Sequence, residues 1–365
     1  MQLKIAIIFP KDSEAIVNRQ SNRTFGGATI QLYLIARELF SYNQIKTFSF
    51  IPAYKDISFP DIDRFHFVKT FNEKANIIRK IWIFHRRLKE VSPDVIIQRG
   101  LTLISCFLAV YCRIYNIKYV FMFAHDIESS GIYQRSRKKC YFFPMLLRFS
   151  HILVTQNEYE YNILSSRRIR NLEILKKGID FELIEKSSEK KYDCAWIARC
   201  EKWKKPDVFL DLVRDCPDLR FLMICSEVDS DREFYRDIKY RASDIKNLEF
   251  LEFVEYKKIY KYLSLSRIFC ITSEMEGDWP MTVLEAAASG MPILSLHLNY
   301  GNIFETFDGG YFCEGDYPVM LSSLRKLIED EGLYRKKSSG AIGYMHENHS
   351  IQLNVRQLLE YISSS

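Results

Sequence analysis

The sequence predicts an α/β protein made of two Rossmann-like domains, and three observations carry that prediction. The chain has 365 residues, more than one hydrophobic core usually organises. Short apolar, β-branched or aromatic runs recur along it, each followed by a segment of helical periodicity, which is the pattern of a parallel sheet covered by helices. A polar stretch without periodicity, Glu185 to Lys191 (EKSSEKK), separates the runs into two sets and suits an exposed linker.

Taken in order, the first set places strands from Lys4 (KIAIIFP), Lys46 (KTFSFIP), Asp94 (DVIIQ), Lys118 (KYVFMF) and His151 (HILVT). The second places them from Tyr192 (YDCAWIA), Leu219 (LRFLMICS), Leu248 (LEFLEF), Arg267 (RIFCITS) and Pro292 (PILSL). Residues 1–184 and 192–348 are therefore expected to form the two domains. A last helix, about Ile351 to Ile362, follows the second pattern, and residues 349–365 are expected to cross back to the first domain. Ligands of open parallel sheets bind beyond the carboxyl ends of the strands, so a cleft between the domains is the expected active site.

Hydrophobic residues at 47% and charged residues at 27% allow two real cores in a soluble protein. Nine cysteines without a CxxC pair, an odd number, read as buried thiols of a reducing, cytoplasmic compartment rather than a disulfide framework or zinc site. The start MQLKIAIIFP lacks the apolar core and cleavage site of a signal peptide and reads as a first strand. The longest apolar stretch, Leu101 to Cys112, is well short of the roughly 20 residues that span a bilayer as a helix. Charge is uneven: residues 1–185 hold 28 Lys/Arg against 17 Asp/Glu, and the remainder 24 against 29. A basic half attracts nucleic acid, an anionic membrane surface or a phosphorylated substrate, and charge alone does not choose among them.

The segment Thr272 to Leu296 (TSEMEGDWPMTVLEAAASGMPILSL) reads as strand, loop, helix, strand. Pro280 suits the first helical turn, where it has no N–H to lose, with Met281 and Thr282 beside it; Gly290 suits the left-handed C-cap and Pro292 stops the helix. Such a helix start offers unpaired N–H groups and partial positive charge to a diphosphate. Glu276 and Glu285 would flank it, and carboxylates accept hydrogen bonds from sugar and ribose hydroxyls. The plainer alternative is that Glu285 complements the helix dipole and Glu276 is solvated.

In Trp196 to Ser226, Arg199 and the cluster Lys202, Lys204 and Lys205 fall between a strand and a helix with Val208, Leu212 and Val213 on one side. Cations there neutralise a departing diphosphate, the arginine as a planar fork and the lysine as a point charge. Gly26-Gly27 precede a helix with Leu32, Ile35, Ala36, Leu39 and Phe40 on one face, a turn that admits phosphate or sugar closely. His125, with Asp126, ends the strand KYVFMF; Asn157 and Glu158 follow HILVT.

Together these segments resemble the retaining GT-B glycosyltransferases of family four, the group 1 glycosyl transferases. Thr272 to Leu296 resembles their paired-glutamate motif, an EGF-type turn before a PxxxLEA helix, which implies that Glu276 contacts the donor sugar and Glu285 the ribose. The family has seven residues between its glutamates, whereas Gly277 to Leu284 are eight, so Asp278-Trp279 reads as a one-residue insertion and Glu274 stands as a weaker substitute for Glu276. Arg199 resembles the phosphate-binding arginine. Alignment on the following helix makes Lys205 the phosphate-binding lysine, and alignment on the arginine makes it Lys204; Lys205 is taken here. Gly26-Gly27 resemble the first-domain glycine loop, and His125 the histidine near the donor sugar.

The resemblance implies a retaining hexosyltransferase that moves a sugar from a nucleotide-diphosphate sugar to a glycan or lipid-linked acceptor hydroxyl. Neither a cofactor nor a metal is expected, since no DxD-type pair stands where a metal would sit. The clusters Arg135 to Lys139 and Arg167 to Arg170, near Tyr141 and Phe142, fit a peripheral contact with an anionic membrane surface during polysaccharide or glycolipid assembly. Two rivals remain: another GT-B enzyme, such as a sugar-nucleotide epimerase or a phosphorylase-like enzyme, and a nucleic-acid-binding protein. Against the latter, no zinc-finger spacing or RNP-type motif is present, and no nucleic-acid partner is expected.

Overall fold

The structure is a computed structural model that describes residues 2–13, 26–52, 66–71, 75–130 and 137–364, with backbone alone at 127, 137–142, 229 and 257. The basic cluster Arg135 to Lys139 with Tyr141 and Phe142 therefore lies outside the described side chains. The chain divides into two compact units, Met1–Gly178 with Ile351–Ser365, and Ile179–Ser350. The change of unit comes ahead of the polar stretch 185–191 expected as the linker. The Ile179 N–H donates to the His349 carbonyl at 2.6 Å, and Ile179 bridges Ser350, which ties this segment to the second unit.

The first unit holds β1 (Leu3–Ile8), α1 (Gly27–Leu39), β2 (Ile45–Ile51), β3 (His66–Lys69), α2 (Ile77–Val91), β4 (Val95–Arg99), α3 (Leu103–Tyr115), β5 (Lys118–Met122), α4 (Asp126–Ser130), α5 (Arg137–Phe149), β6 (Ile152–Thr155), α6 (Glu158–Ser166) and β7 (Leu172–Ile174). Its sheet is parallel, in the order β3-β2-β1-β4-β5-β6-β7. Every residue of β4 is buried, as expected of a strand with helices on both faces. The apolar run at Leu101 to Cys112 forms α3, with Leu108, Ala109 and Cys112 wholly buried. That helix stops where Asn116 takes a left-handed conformation at φ 54°.

The second unit holds β8 (Tyr192–Arg199), α7 (Pro206–Asp215), β9 (Phe221–Ser226), α8 (Arg232–Ser243), β10 (Leu248–Leu251), α9 (Tyr256–Ser264), β11 (Ser266–Ile271), α10 (Met281–Ala288), β12 (Ile293–Ser295), β13 (Gly310–Phe312), α11 (Tyr317–Glu329) and α12 (Glu331–Asn348). Its sheet, β10-β9-β8-β11-β12-β13, is again parallel and repeats the strand order of the first. In each sheet the order reverses beside the first strand, between β1 and β4 and between β8 and β11. Such a reversal opens a crevice at the carboxyl edge, where ligands bind in folds of this kind.

All ten expected strands form. The three that sequence reading passed over, β3, β7 and β13, each lie at the edge of a sheet. A short edge strand with one paired side and weak burial need not leave an apolar run, although β10, also at an edge, does. The final helix, α13 (Ile351–Ser364), belongs to the first unit. It buries Ile351, Val355, Leu358 and Ile362, and the Asn354 amide donates to the Lys176 carbonyl at 2.7 Å. All eight cysteines with described side chains are free and buried.

Candidate functional site

In the second unit, the loops after β8 and β11 flank the strand-order reversal. The β8 loop runs from Arg199 through a 3-10 turn at Lys202–Lys204, and Lys205 leads into α7 with φ 51° and ψ 53°. The β11 loop runs from Thr272 to Pro280. Thr272 is fully buried and joins the two loops: its hydroxyl donates toward the carbonyls of Lys204 at 2.8 Å and Lys205 at 2.9 Å, and it accepts from the Trp196 indole at 2.9 Å. The Glu274 N–H adds a bond to the Trp203 carbonyl at 2.8 Å. Two chain segments about 70 residues apart thus share one frame.

Each candidate cation of that frame faces a carboxylate. Arg199 pairs with Glu201 at 3.2 Å, Lys205 with Glu274 at 3.3 Å, and Lys204 with Glu276. The last pair is the most enclosed, with side chains 11% and 14% exposed against 31% for Lys205 and 50% for Arg199, so its attraction is the least screened by water. Glu201 is 5% exposed, and burial holds its carboxyl above the usual range. Its Oε2 has no hydrogen-bond partner.

The expected insertion at Asp278-Trp279 has a structural use. Trp279 is buried, its indole donates to the Tyr300 carbonyl at 2.7 Å, and its ring meets those of Tyr300 and Phe304 edge-on. The Tyr300 hydroxyl in turn donates to the Glu276 carbonyl, so this aromatic plug holds the loop from beneath. Pro280 stands one residue outside the helix rather than in its first turn. Its ψ of 148° is extended, and α10 begins at Met281 followed by Thr282; Pro280 itself provides no side-chain cap. Gly290 takes the left-handed conformation expected of it, at φ 79°.

Glu285, in the second turn of α10, is 1% exposed. Tyr256 and Tyr260, one turn apart on α9, both donate to its Oε1, at 2.9 and 3.3 Å, and their hydroxyls lie 3.0 Å from each other. Burial raises the Glu285 carboxyl to about 7, while the two tyrosine bonds favour the charged form. Neither bond uses Oε2. The tyrosines and Thr272 escaped sequence reading because their roles depend on neighbours distant in the chain; the only local signal was two hydroxyl-bearing rings at helical spacing before the motif.

In the first unit, Gly26 caps α1 and Gly27 opens it. The Asp12 carboxylate accepts from the Gly26 N–H and the Thr29 hydroxyl, both at 2.6 Å. This helix start already faces a carboxylate of its own chain. His125 is exposed, just ahead of α4, and its carbonyl accepts from the Glu128 N–H at 2.8 Å. Glu128 is buried and accepts from the N–H groups of Leu101 and Ala124, both at 2.8 Å, fastening the ends of β4 and β5. Asn157 caps α6 by accepting from the Glu160 N–H.

Two loops at a strand-order reversal thus bring together three cations, the start of α10 and a buried carboxylate. Residues 180–342 match the family described as Glycosyl transferases group 1. All five charged candidates of the second unit lie inside the matched segment. No curated protein matches the chain in sequence. Among solved structures, Anabaena HepE in complex with UDP-glucose is similar with a TM-score of 0.77 at 15% identity, covering 100% of both chains. Sucrose-phosphate synthase from Thermosynechococcus elongatus gives 0.79 at 11%, covering 100% of this chain and 99% of that one. UDP-GlcNAc 2-epimerase from Neisseria meningitidis, bound to UDP-GlcNAc, gives 0.63 at 15%, covering 100% of both. These likenesses establish the fold as the GT-B arrangement of two parallel-sheet Rossmann-like domains.

Proposed function

We propose that this chain is a retaining glycosyltransferase that moves a hexose-type sugar from a nucleoside-diphosphate sugar to an acceptor hydroxyl. The observation that carries the reading is the Thr272-centred frame, which brings Arg199, Lys204 and Lys205 beside the loop that leads to α10 and Glu285. The second unit is then the nucleotide-sugar domain and the first the acceptor domain. Arg199 and the lysines hold the diphosphate, exchanging their present carboxylate partners for phosphate oxygens, and the N–H groups of Met281 and Thr282 support it. As the bond from the anomeric carbon to the phosphate oxygen breaks, these groups meet the charge that grows on the leaving diphosphate. In this reading no metal or cofactor is required. Glu285 accepts from the ribose, held by its tyrosines, and Glu276, once freed from Lys204, orients the sugar; on the first unit, His125 is the proposed sugar-contacting histidine. Gly26 and Gly27 leave room for sugar on the first unit. Retention follows from the family resemblance.

The decisive experiment screens UDP-, GDP- and ADP-sugars for hydrolysis and for thermal stabilisation of the chain. One donor is expected to raise the melting temperature, and Glu285→Ala to abolish that rise; an unchanged response in the variant would overturn the site. A second reading has an observation in its favour, since the epimerase above shares the fold. Product analysis with labelled donor separates the two: transfer to an acceptor supports the first, a free or re-configured sugar without acceptor the second. The basic first half supports a glycan or lipid-linked acceptor at an anionic membrane surface, in cell-surface polysaccharide or glycolipid assembly. Among the described residues, no helix is long and apolar enough to cross a membrane.

A further inference from the structure

Helix α2 turns outward what a helix of a folded unit ordinarily buries. Ile78 is 76% exposed, Trp82 one turn later 58%, and Ile77 41%. Spacing of i,i+4 sets Ile78 and Trp82 side by side, away from Phe84 and Leu88, the two side chains the helix buries. The patch continues onto α3. The His85 ring meets Tyr111 edge-on at 5.8 Å and Tyr115 at 6.1 Å, and at that end of α3 Ile114 and Tyr115 are 70% and 46% exposed. A lone exposed apolar residue is ordinary, but a cluster of them marks a contact surface.

Cations surround the patch. Helix α2 carries Arg79, Lys80, Arg86, Arg87 and Lys89 against a single carboxylate, Glu90. That carboxylate is already engaged, by Arg86 at 3.0 Å and Arg87 at 2.7 Å. The Arg86 guanidinium lies 5.9 Å from the Trp82 ring centre, so charge and indole share one face. Arg113 adds a further cation near the end of α3.

We propose that α2 and the end of α3 form the surface by which this chain sits on an anionic lipid bilayer. The proposal rests on the membrane-facing part of the reading above and names the contact. Indole and aliphatic side chains enter the headgroup boundary while the surrounding cations meet lipid phosphates. A second copy of the chain fits less well: a two-fold contact through this face sets the same cations against each other, and interface centres are depleted of charge.

Flotation of the full chain with vesicles tests it, using an equal mixture of phosphatidylglycerol and phosphatidylcholine against phosphatidylcholine alone. Binding to the anionic vesicles is expected, with Ile78→Ser/Trp82→Ser and Arg79→Gln/Lys89→Gln each lowering it about tenfold. Tyr240→Ser, which removes an aromatic ring 72% exposed on α8, should leave it unchanged. Donor-dependent thermal stabilisation is read on all three variants and should match the wild type, which shows that they fold. Binding that survives both α2 variants overturns this surface and leaves the membrane reading standing; absence of binding overturns both. A dimer in sedimentation velocity that Ile78→Ser/Trp82→Ser dissolves also overturns it, assigning the face to a second copy. None of these results bears on the donor site, which the thermal response reads separately.

Discussion

At the scale of single residues, Glu285 carries the sharpest consequences. Its carboxyl is raised to about 7 from an ordinary 4.5 because burial disfavours the charge. The folded state therefore holds this proton more tightly than the unfolded one. That contribution to stability is present in full below about 4.5 and is lost as pH rises through about 7. Glu285→Gln has no such proton to lose, so its stability relative to wild type should grow between about pH 5 and pH 8, by up to roughly 3 kcal/mol. Chemical denaturation across that range checks it, and a flat difference would count against it. The lysines divide on a similar argument. Alignment on the helix favours Lys205, yet Lys204 is the better buried and lies closer to its carboxylate. Lys204→Gln should weaken nucleoside-diphosphate binding about tenfold or more, and Lys205→Gln less than about threefold, by titration calorimetry. The opposite ranking would return the phosphate to Lys205.

Elements show where local sequence speaks and where it falls silent. The strand, loop, helix, strand run at Thr272 to Leu296 was legible because proline, glycine and an alanine-rich helix act within a few residues. Three of the four edge strands were not, because partners rather than composition define them. Lys205 illustrates a local conflict: at φ 51° it occupies a conformation that disfavours a side chain. Lys205→Gly should therefore stabilise the chain by about 1 kcal/mol, less the extra entropy of glycine in the unfolded state. The same variant should keep donor binding if Lys204 holds the phosphate. On β13, a Cβ at Gly310 would stand 1.9 Å from the Ile293 carbonyl oxygen, at φ 156°. Gly310→Ala should cost roughly 3 kcal/mol or more, seen as a lower denaturation midpoint, because backbone must move to admit it.

For the whole molecule, the chain leaves its first unit at Gly178 and returns at Ile351. Helix α13 is thus part of the first unit's packing, with four buried apolar side chains each worth roughly 1.5–3 kcal/mol. Ending the chain after Ser350 should remove stability comparable to that of a whole domain. Calorimetry should then show one transition lost or much lowered, and an unchanged trace would mean that α13 contributes little.

By itself the sequence determined two parallel α/β units and ten strands with continuous apolar runs, and it singled out the charged residues proposed here for a donor site, since periodicity, turn chemistry and resemblance act along the chain. Tertiary structure alone decided that Thr272 joins the two loops, that Tyr256 and Tyr260 cap Glu285, that each cation faces a carboxylate, and that Trp82 is left exposed. Those outcomes depend on distances between residues far apart in the chain. No local pattern encodes them, because hydrogen bonds and burial are set by whichever segments the fold brings together.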